Sequence, residues 1–219
     1  MRVVLLDCGI IKDPLRSRSL KIIEVINDLG YEIQRVEVLE GEKIDDDLEN
    51  ITHIIISGSG LNYDSNHLGI CYVRDVVKQV YNSHINVLGV CFGAQVLADV
   101  LGGSVEKQKN TEFGFETISI IKEDTLMSEF PQEFDAFEYH FDSITSLPSY
   151  SILIAQSENC IQVYKTHNCY GVQFHPEIDS VFAKREIEII EENNLQESVK
   201  SKEIFYTLPR KIFENFLKL

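Results

Sequence analysis

The chain has 219 residues, of which 44% are hydrophobic and 25% charged, a balance typical of a globular protein with one sizeable core. Its formal net charge of −15 argues against non-specific binding to nucleic acid and to anionic membranes. No apolar run in the sequence approaches the roughly 20 residues that span a bilayer, and residues 1–7 turn acidic too early for a signal peptide, so we expect a cytoplasmic location.

The first half of the chain alternates segments typical of strands with segments typical of helices. Short apolar runs predict buried strands, the alternating and β-rich residues 31–38 predict a further strand, and apolar residues at helical spacing predict helices. The predicted strands are Val3–Leu6, Tyr31–Val38, His53–Ile56 and Asn86–Val90, and the predicted helices are Leu15–Leu29, Ile70–Tyr81 and Ala94–Leu101. This alternating order indicates a parallel sheet wrapped by helices.

The second half of the chain is richer in extended segments. The predicted strands are Phe115–Ile121, Ala136–His140, Ile152–Gln156, Ile161–Tyr164 and Tyr170–Phe174. Helices are predicted at Ile178–Asn193 and over much of Glu203–Leu219, with a break near Pro209. We therefore predict a single α/β domain over residues 1–219, with a central, mostly parallel sheet flanked by helices and a smaller antiparallel strand element in the second half.

The sequence contains five cysteines, an odd number with no C-x-x-C pair. This pattern argues against a disulfide framework and against a zinc site, so we expect reduced thiols. Four of these residues are predicted to be small buried hydrophobes: Cys8, Cys71, Cys160 and Cys169. The fifth lies in a motif that suggests chemistry.

Residues 89–93, Gly-Val-Cys-Phe-Gly, have the form G-x-C-x-G between a predicted strand and a predicted helix. This arrangement is typical of a nucleophile elbow, in which small residues allow a tight turn. The N-terminus of the helix favours a thiolate at Cys91 and would direct the N–H of Phe92 toward an oxyanion. The motif by itself is equally compatible with a structural cysteine.

A cysteine nucleophile needs a base, and His175 is the strongest candidate. It follows the predicted strand Tyr170–Phe174, at the sheet edge where Cys91 also lies. Glu177, two residues further on, is close enough to orient the imidazole. Either residue alone would be read as a helix cap or a first-turn acid, but together with the elbow they favour a Cys-His-Glu triad.

Five stretches of the sequence resemble the class I, triad-type glutamine amidotransferases. They are GVCFGAQ, YGVQFHPE, SGSGLNYD, FEYHFDSITSLP and GGSVEKQKNTEFGF. The last is similar to the subgroup that includes the glutaminase domain of GMP synthetase. The resemblance extends from about Val3 to Glu177.

The resemblance implies a role for each matching residue. Cys91 would attack the γ-carboxamide of glutamine, His175 would transfer protons, and Glu177 would orient His175. The backbone N–H groups of Ser59 and Phe92 would hold the oxyanion. Substrate contacts are expected at Gly58, Gln95, Phe141 and Asp142. No cofactor and no metal are implied. Relatives commonly have a proline at the position of Gly60, so we expect a looser oxyanion loop that a ligand or partner completes.

Glutaminases of this type usually pass ammonia to a synthase, and the sequence shows neither a second domain to receive it nor a G-x-x-x-x-G-K-[ST] phosphate loop. Three functions remain open at this point. The first is a glutaminase or amidotransferase with a synthase partner, the second is a hydrolase or transpeptidase of another γ-glutamyl compound, and the third is a non-catalytic binding module.

Overall fold

The computed structural model describes residues 1–13, 15–45, 48–192 and 208–219. Its strands are β1 Val3–Asp7, β2 Ile33–Glu37, β3 His53–Ile56, β4 Asn86–Val90, β5 Ser104–Ile120, β6 Glu133–Ser146, β7 Ile152–Gln156, β8 Ile161–Thr166 and β9 Cys169–Val172. Its helices are α1 Arg18–Asp28, α2 Leu68–Val80, α3 Phe92–Val100, α4 Ser180–Glu192 and α5 Lys211–Phe216. In this part of the chain the strands form one sheet of order β2-β1-β3-β4-β9-β8-β7-β5-β6.

One half of the sheet is parallel and consists of β2, β1, β3, β4 and β9. Strands β1, β3 and β9 are buried along their whole length, as expected for parallel strands covered on both faces. Strand β9 comes late in the chain but pairs with β4, where Val90 is opposite Val172. This pairing brings the ends of the two strands that precede Cys91 and His175 side by side.

The other half of the sheet is antiparallel and larger than we predicted. The α/β class with flanking helices is confirmed, but the prediction of a mostly parallel sheet was wrong, because β5, β6, β7 and β8 pair antiparallel with their neighbours. Strands β5 and β6 span 17 and 14 residues, so this half contains the two longest strands. Their alternating exposed and buried residues interrupt the apolar runs from which we predicted only the segments Phe115–Ile121 and Ala136–His140.

The helices lie close to the predicted ranges. Helix α1 begins at Arg18 because Ser17 caps it, with the Ser17 hydroxyl accepting a hydrogen bond from the N–H of Leu20 at 3.3 Å. The predicted helix at Glu203–Leu219 falls partly on residues 201–207, outside the described residues, as does Asn193. After Pro209 the chain forms the short helix α5, in agreement with the predicted break.

The two faces of the sheet carry separate apolar cores. One core packs α1, α4 and α5 against the sheet, and its members include Leu5, Ile22, Ile55, Phe182 and Phe213. The other packs α2 and α3, with Leu6, Ile56, Val73, Phe92 and Leu97 among its members. None of the helices in the described ranges is long and apolar enough to cross a membrane.

Helix α3 is anchored by a tyrosine from the antiparallel half. The hydroxyl of Tyr164 donates a hydrogen bond to the carbonyl of Ala94 at 2.7 Å. Gly171 makes room for this ring, since a Cβ atom there would lie 2.0 Å from it. The helix that follows Cys91 is thereby fixed to strands β8 and β9.

All five cysteines are free thiols. Cys8 and Cys169 are buried, as predicted. Cys71 and Cys160 are only partly buried, so the prediction that they are small core residues was wrong. Cys160 lies in the turn between β7 and β8 and bonds to polar neighbours, which explains the difference.

Candidate active site

Cys91 occupies a strained turn between β4 and α3. Its φ of 51° and ψ of −105° lie in a region that costs a non-glycine residue about 1–3 kcal/mol. The two glycines of the motif are sterically required. A Cβ atom at Gly89 would lie 2.5 Å from the carbonyl of Gly93, and one at Gly93 would lie 2.3 Å from the carbonyl oxygen of Ile56. The G-x-C-x-G spacing therefore forms a nucleophile elbow.

His175 lies beside this elbow, and Glu177 lies behind it. The Nδ1 atom of His175 is 2.7 Å from a carboxylate oxygen of Glu177, and both side chains are fully buried. The other ring nitrogen, Nε2, has no hydrogen-bond partner of ordinary geometry among the residues that the structure describes, but the nearby Cys91 thiol helps to raise the pKa of the ring. A Cβ atom at Gly58 would lie 3.3 Å from His175 Cε1 and 3.8 Å from Cys91 Cβ. Gly58 thus lies against both side chains, where a larger residue would crowd them.

The electrostatics of this pair favour a thiolate and an imidazolium. Burial by itself raises the pKa of the Cys91 thiol, but the positive charges of His175, His140 and Arg18 lower it below its ordinary value. Burial by itself lowers the pKa of His175, but the charges of Glu177 and Cys91 raise it to about 9. The arrangement can therefore supply a nucleophilic sulfur next to a proton donor at neutral pH.

A cavity of about 780 Å³ opens onto Cys91, a volume suited to a small-molecule ligand. Its wall includes six of the nine residues that sequence analysis singled out: Ser59, Cys91, Phe92, Gln95, Phe141 and Asp142. Phe92 is the first residue of α3, so its N–H has no acceptor within the helix. This N–H and the loop at Ser59 border the same space.

The segment formed by Phe141 and Asp142 lies across the cavity from α3. The side-chain nitrogen of Gln95 donates a hydrogen bond to the carbonyl of Asp142 at 2.7 Å and another to Gln173 Oε1 at 3.3 Å. Gln95 therefore holds the segment in place. The side chain of Phe141 is 53% exposed and packs edge-on against Phe113.

Sequence analysis missed two residues of this site. Gln173 is completely buried and places its Nε2 atom 3.6 Å from the sulfur of Cys91. Its signal was a polar residue inside the apolar stretch before His175. Arg18 lines the cavity and stacks over the ring of Tyr139 at 4.4 Å. No motif indicates Arg18, since only the folded loop after β1 brings it near Cys91.

Gly60, at the position where relatives often have proline, lies under the side chain of Ile10. A Cβ atom there would be 2.6 Å from Ile10 Cδ1. Ile10 is 49% exposed and lines the same cavity. A side chain at residue 60 would thus have to displace Ile10. The looseness that we expected of this loop stays a prediction.

The comparison with protein families agrees with this geometry. The model of the class I glutamine amidotransferase family matches residues 10–193, and the chain belongs to this family. Within the family it is similar to a subunit of the glutamine-hydrolysing GMP synthase of Thermoplasma acidophilum, at 30% identity over 167 residues, which cover 74% of this chain and 80% of that protein. It is also similar to the corresponding GMP synthase subunit of Sulfolobus acidocaldarius, at 29% identity over 70% of this chain and 82% of the relative.

A solved structure supports the fold. A glutamine amidotransferase from Thermotoga maritima aligns with a TM-score of 0.81 and 21% identity, and the alignment covers 100% of this chain and 99% of that one. The chain is therefore a class I glutamine amidotransferase that is similar to the glutamine-hydrolysing subunits of GMP synthase.

Proposed function

We propose that residues 1–219 form one glutaminase domain that hydrolyses the γ-amide of glutamine through Cys91, His175 and Glu177. The observation that carries this proposal is the elbow cysteine beside a histidine whose Nδ1 is held by Glu177 at 2.7 Å and whose Nε2 is unpartnered among the described residues. The names of the relatives, which are glutamine-hydrolysing, support the same substrate.

In the proposed reaction, the Cys91 thiolate attacks the γ-carbonyl carbon of glutamine. The N–H groups of Phe92 and Ser59 stabilise the oxyanion of the tetrahedral intermediate. His175 donates its proton to the leaving nitrogen, ammonia departs, and a glutamyl thioester remains on the sulfur. His175 then takes a proton from water, which attacks the thioester and releases glutamate and the thiolate.

Four further residues would place the substrate. The backbone at Gly58, Phe141 and Asp142 lies around the elbow, where main-chain groups can bind the amino acid end of glutamine. Gln95 would contribute its Oε1 atom, since its nitrogen is used by Asp142 and Gln173. No cofactor is needed for these steps.

The ammonia would pass to a partner synthase. Two of the relatives are named as subunits of GMP synthase, and a separate glutamine-hydrolysing subunit implies a second chain that uses the ammonia, which supports a partner of that kind. The free thiols favour a reducing, cytoplasmic location for the pair.

A second substrate class is favoured by the size of the cavity. Its volume of about 780 Å³ leaves space beyond a single amino acid. Arg16 and Arg18 line it, but each is paired with Glu186 at 3.3 Å. A γ-glutamyl compound larger than glutamine would fit this space. The same triad would release an amine in place of ammonia.

The test measures glutamate and ammonia from glutamine, with Cys91→Ala as the matched control. We expect release by the wild-type protein only, and equal release by both would overturn the proposal. A panel of γ-glutamyl peptides and amines, assayed beside glutamine, decides between the two substrate classes. Labelling of Cys91 by a glutamine-analogue alkylator would exclude a non-catalytic binding module, whereas no labelling even after addition of cell lysate would support one.

A further inference from the structure

A second polar cluster lies in the antiparallel half of the sheet, behind the segment Phe141–Asp142. It consists of Glu112 on β5, Glu138 and His140 on β6, and Cys160 in the turn before β8. The Nε2 atom of His140 is 3.1 Å from Glu112 Oε2 and 3.1 Å from Glu138 Oε2. The sulfur of Cys160 is 3.1 Å from Glu112 Oε2. The donor atoms of Glu112, His140 and Cys160 all lie within 4.8 Å of one another.

Glu138 shares its one partner among the described residues with Glu112. It is 0% exposed, and the Nε2 atom of His140 lies 3.1 Å from an oxygen of each carboxylate. The hydrogen bond from Nε2 goes to Glu112. One imidazolium cannot neutralise two buried carboxylates, so the negative charge that remains points to a further cation in the cluster.

Gln162, on β8, also contacts this cluster. Its Nε2 atom lies 3.0 Å from Glu112 Oε2 and 3.2 Å from the sulfur of Cys160. Its Oε1 atom is buried and has no hydrogen-bond partner within the described ranges. The cluster thus contains a buried oxygen that the described residues leave without a hydrogen-bond partner.

The donor set matches one class of metal ion. A thiolate, an imidazole nitrogen and carboxylate oxygens are together the ligands of four-coordinate zinc, whereas Mg²⁺ and Ca²⁺ prefer oxygen alone. The Nδ1 atom of His140 is 3.0 Å from the carbonyl of Asp142, to which it donates a hydrogen bond. This bond orients the ring so that Nε2 faces the cluster, as carbonyl partners do for metal-bound histidines.

We propose that Glu112, His140 and Cys160 bind one zinc ion, with Glu138 beside His140 balancing the charge of the site. The ion would tie β5, β6 and the turn before β8 together and, through His140, would support the carbonyl of Asp142 in the cavity wall. This site uses none of the residues Cys91, His175 or Glu177, so the inference stands apart from the proposed glutaminase activity.

The test uses the full chain carrying Cys91→Ala, which removes the elbow thiol as a competing ligand. After treatment with a chelator, the protein is titrated with Co²⁺, whose bond to a thiolate gives a near-ultraviolet charge-transfer band, and the Co²⁺ is then displaced with Zn²⁺. We expect one equivalent of Co²⁺ and a thiolate band that disappears in Cys160→Ser. Cys71→Ser, which changes a partly buried cysteine on α2, should keep the band. Glu138→Gln should weaken the binding of Zn²⁺ at least tenfold.

Several outcomes would overturn the zinc site. One is the absence of stoichiometric Co²⁺ or Zn²⁺ binding in Cys91→Ala, and another is a thiolate band that survives Cys160→Ser. Binding by the wild-type protein but not by Cys91→Ala would assign the ion to the elbow cysteine and would also reject the proposal. If circular dichroism shows that Cys160→Ser does not fold, the affinity of Glu138→Gln decides, and an unchanged affinity counts against the site.

Discussion

The molecule contains two buried histidines that each contact a carboxylate, and they are prepared for different tasks. His175 uses Nδ1 for Glu177, while its Nε2 has no partner among the described residues. His140 uses both nitrogens, with Nδ1 on the carbonyl of Asp142 and Nε2 on Glu112. The first can exchange a proton with a substrate or with Cys91, and the second cannot do so without breaking a bond.

The difference follows from their places in the sheet. His175 comes just after β9, at the strand-end edge where loops can present a ring to a ligand. His140 lies within β6, between the strands β5 and β8 that supply its neighbours. Burial and a carboxylate are therefore not enough to identify a base. The free ring nitrogen is the distinguishing feature.

The largest expected effect comes from replacing His175, which removes its Nε2 atom. His175→Ala should lower kcat for glutamine hydrolysis by at least about 10³-fold, because general acid–base transfer typically contributes 10²–10⁴-fold. Steady-state release of glutamate measures this kcat. His84→Ala, which replaces an exposed histidine, is the control. Wild-type activity in His175→Ala would show that His175 does not act as the base.

Removing the carboxylate behind the base should cost less. In Glu177→Ala the imidazole still faces Cys91 but is no longer oriented, so we expect a loss of roughly 10²-fold and a measurable residual rate. The same glutamate assay, run on equal amounts of folded protein, compares the two variants. A loss equal to that of His175→Ala would mean that orientation is as important as the base.

The pH profile should show which histidine titrates during catalysis. The active form needs the Cys91 thiolate and the His175 imidazolium, so kcat/KM should fall at low pH as the thiolate is protonated and at high pH as His175 loses its proton near pH 9. Because the charge of Glu177 raises the pKa of His175, Glu177→Gln should shift the alkaline limb to lower pH. An alkaline limb that does not move in this variant would assign it to another group.

A smaller effect is expected from replacing His140, whose two ring nitrogens both have partners. His140→Gln removes the bond to the carbonyl of Asp142, which Gln95 still holds at 2.7 Å. We expect kcat/KM to fall about tenfold, mostly through a higher KM, since the change loosens the cavity wall but leaves His175 and Glu177 in place. Loss of the His140 charge should also raise the pKa of Cys91 and move the acidic limb of the pH profile to higher pH. Separate determination of kcat and KM tests the effect on KM. An effect confined to kcat would indicate that His140 takes part in the chemistry.

The smallest effect is expected at the oxyanion loop. Gly60→Ala should change kcat/KM by less than a few-fold, because the flexible side chain of Ile10 can move away from the new methyl group. The double variant with Ile10→Ala, which removes that contact, is the matched comparison. A large loss in Gly60→Ala that Ile10→Ala does not restore would show that the backbone itself requires glycine.

The sequence predicted much of the parallel half of the sheet because β1, β3 and β4 are mostly apolar runs. β3 and β4 begin and end at the predicted residues. The elbow at Cys91 was predictable from its motif, since backbone contacts with Gly93 and with Ile56 leave no room for side chains at the two glycines. The full lengths of β5 and β6 were not predictable, because exposed residues interrupt their apolar stretches.

The parts of the site that depend on long-range contacts had no pattern in the sequence. Glu112, His140 and Cys160 come from three separate segments of the chain, so no spacing in the sequence predicts that they lie close together. Arg18 is far from the elbow in sequence and reaches the cavity through the loop after β1. Gln173 was visible as a polar residue in a buried strand, but its contact with Cys91 depends on the pairing of β9 with β4.

The position of β9 has a consequence for folding during synthesis. This strand is the last of the sheet in chain order, yet it inserts between β4 and β8. On the ribosome, Cys91 emerges long before His175 and Glu177, whereas domains generally fold as units. Until β9 docks, β4 is an open sheet edge and His175 is not beside the thiol. If the proposed triad holds, we expect glutamine hydrolysis to begin only when the two halves of the sheet are joined.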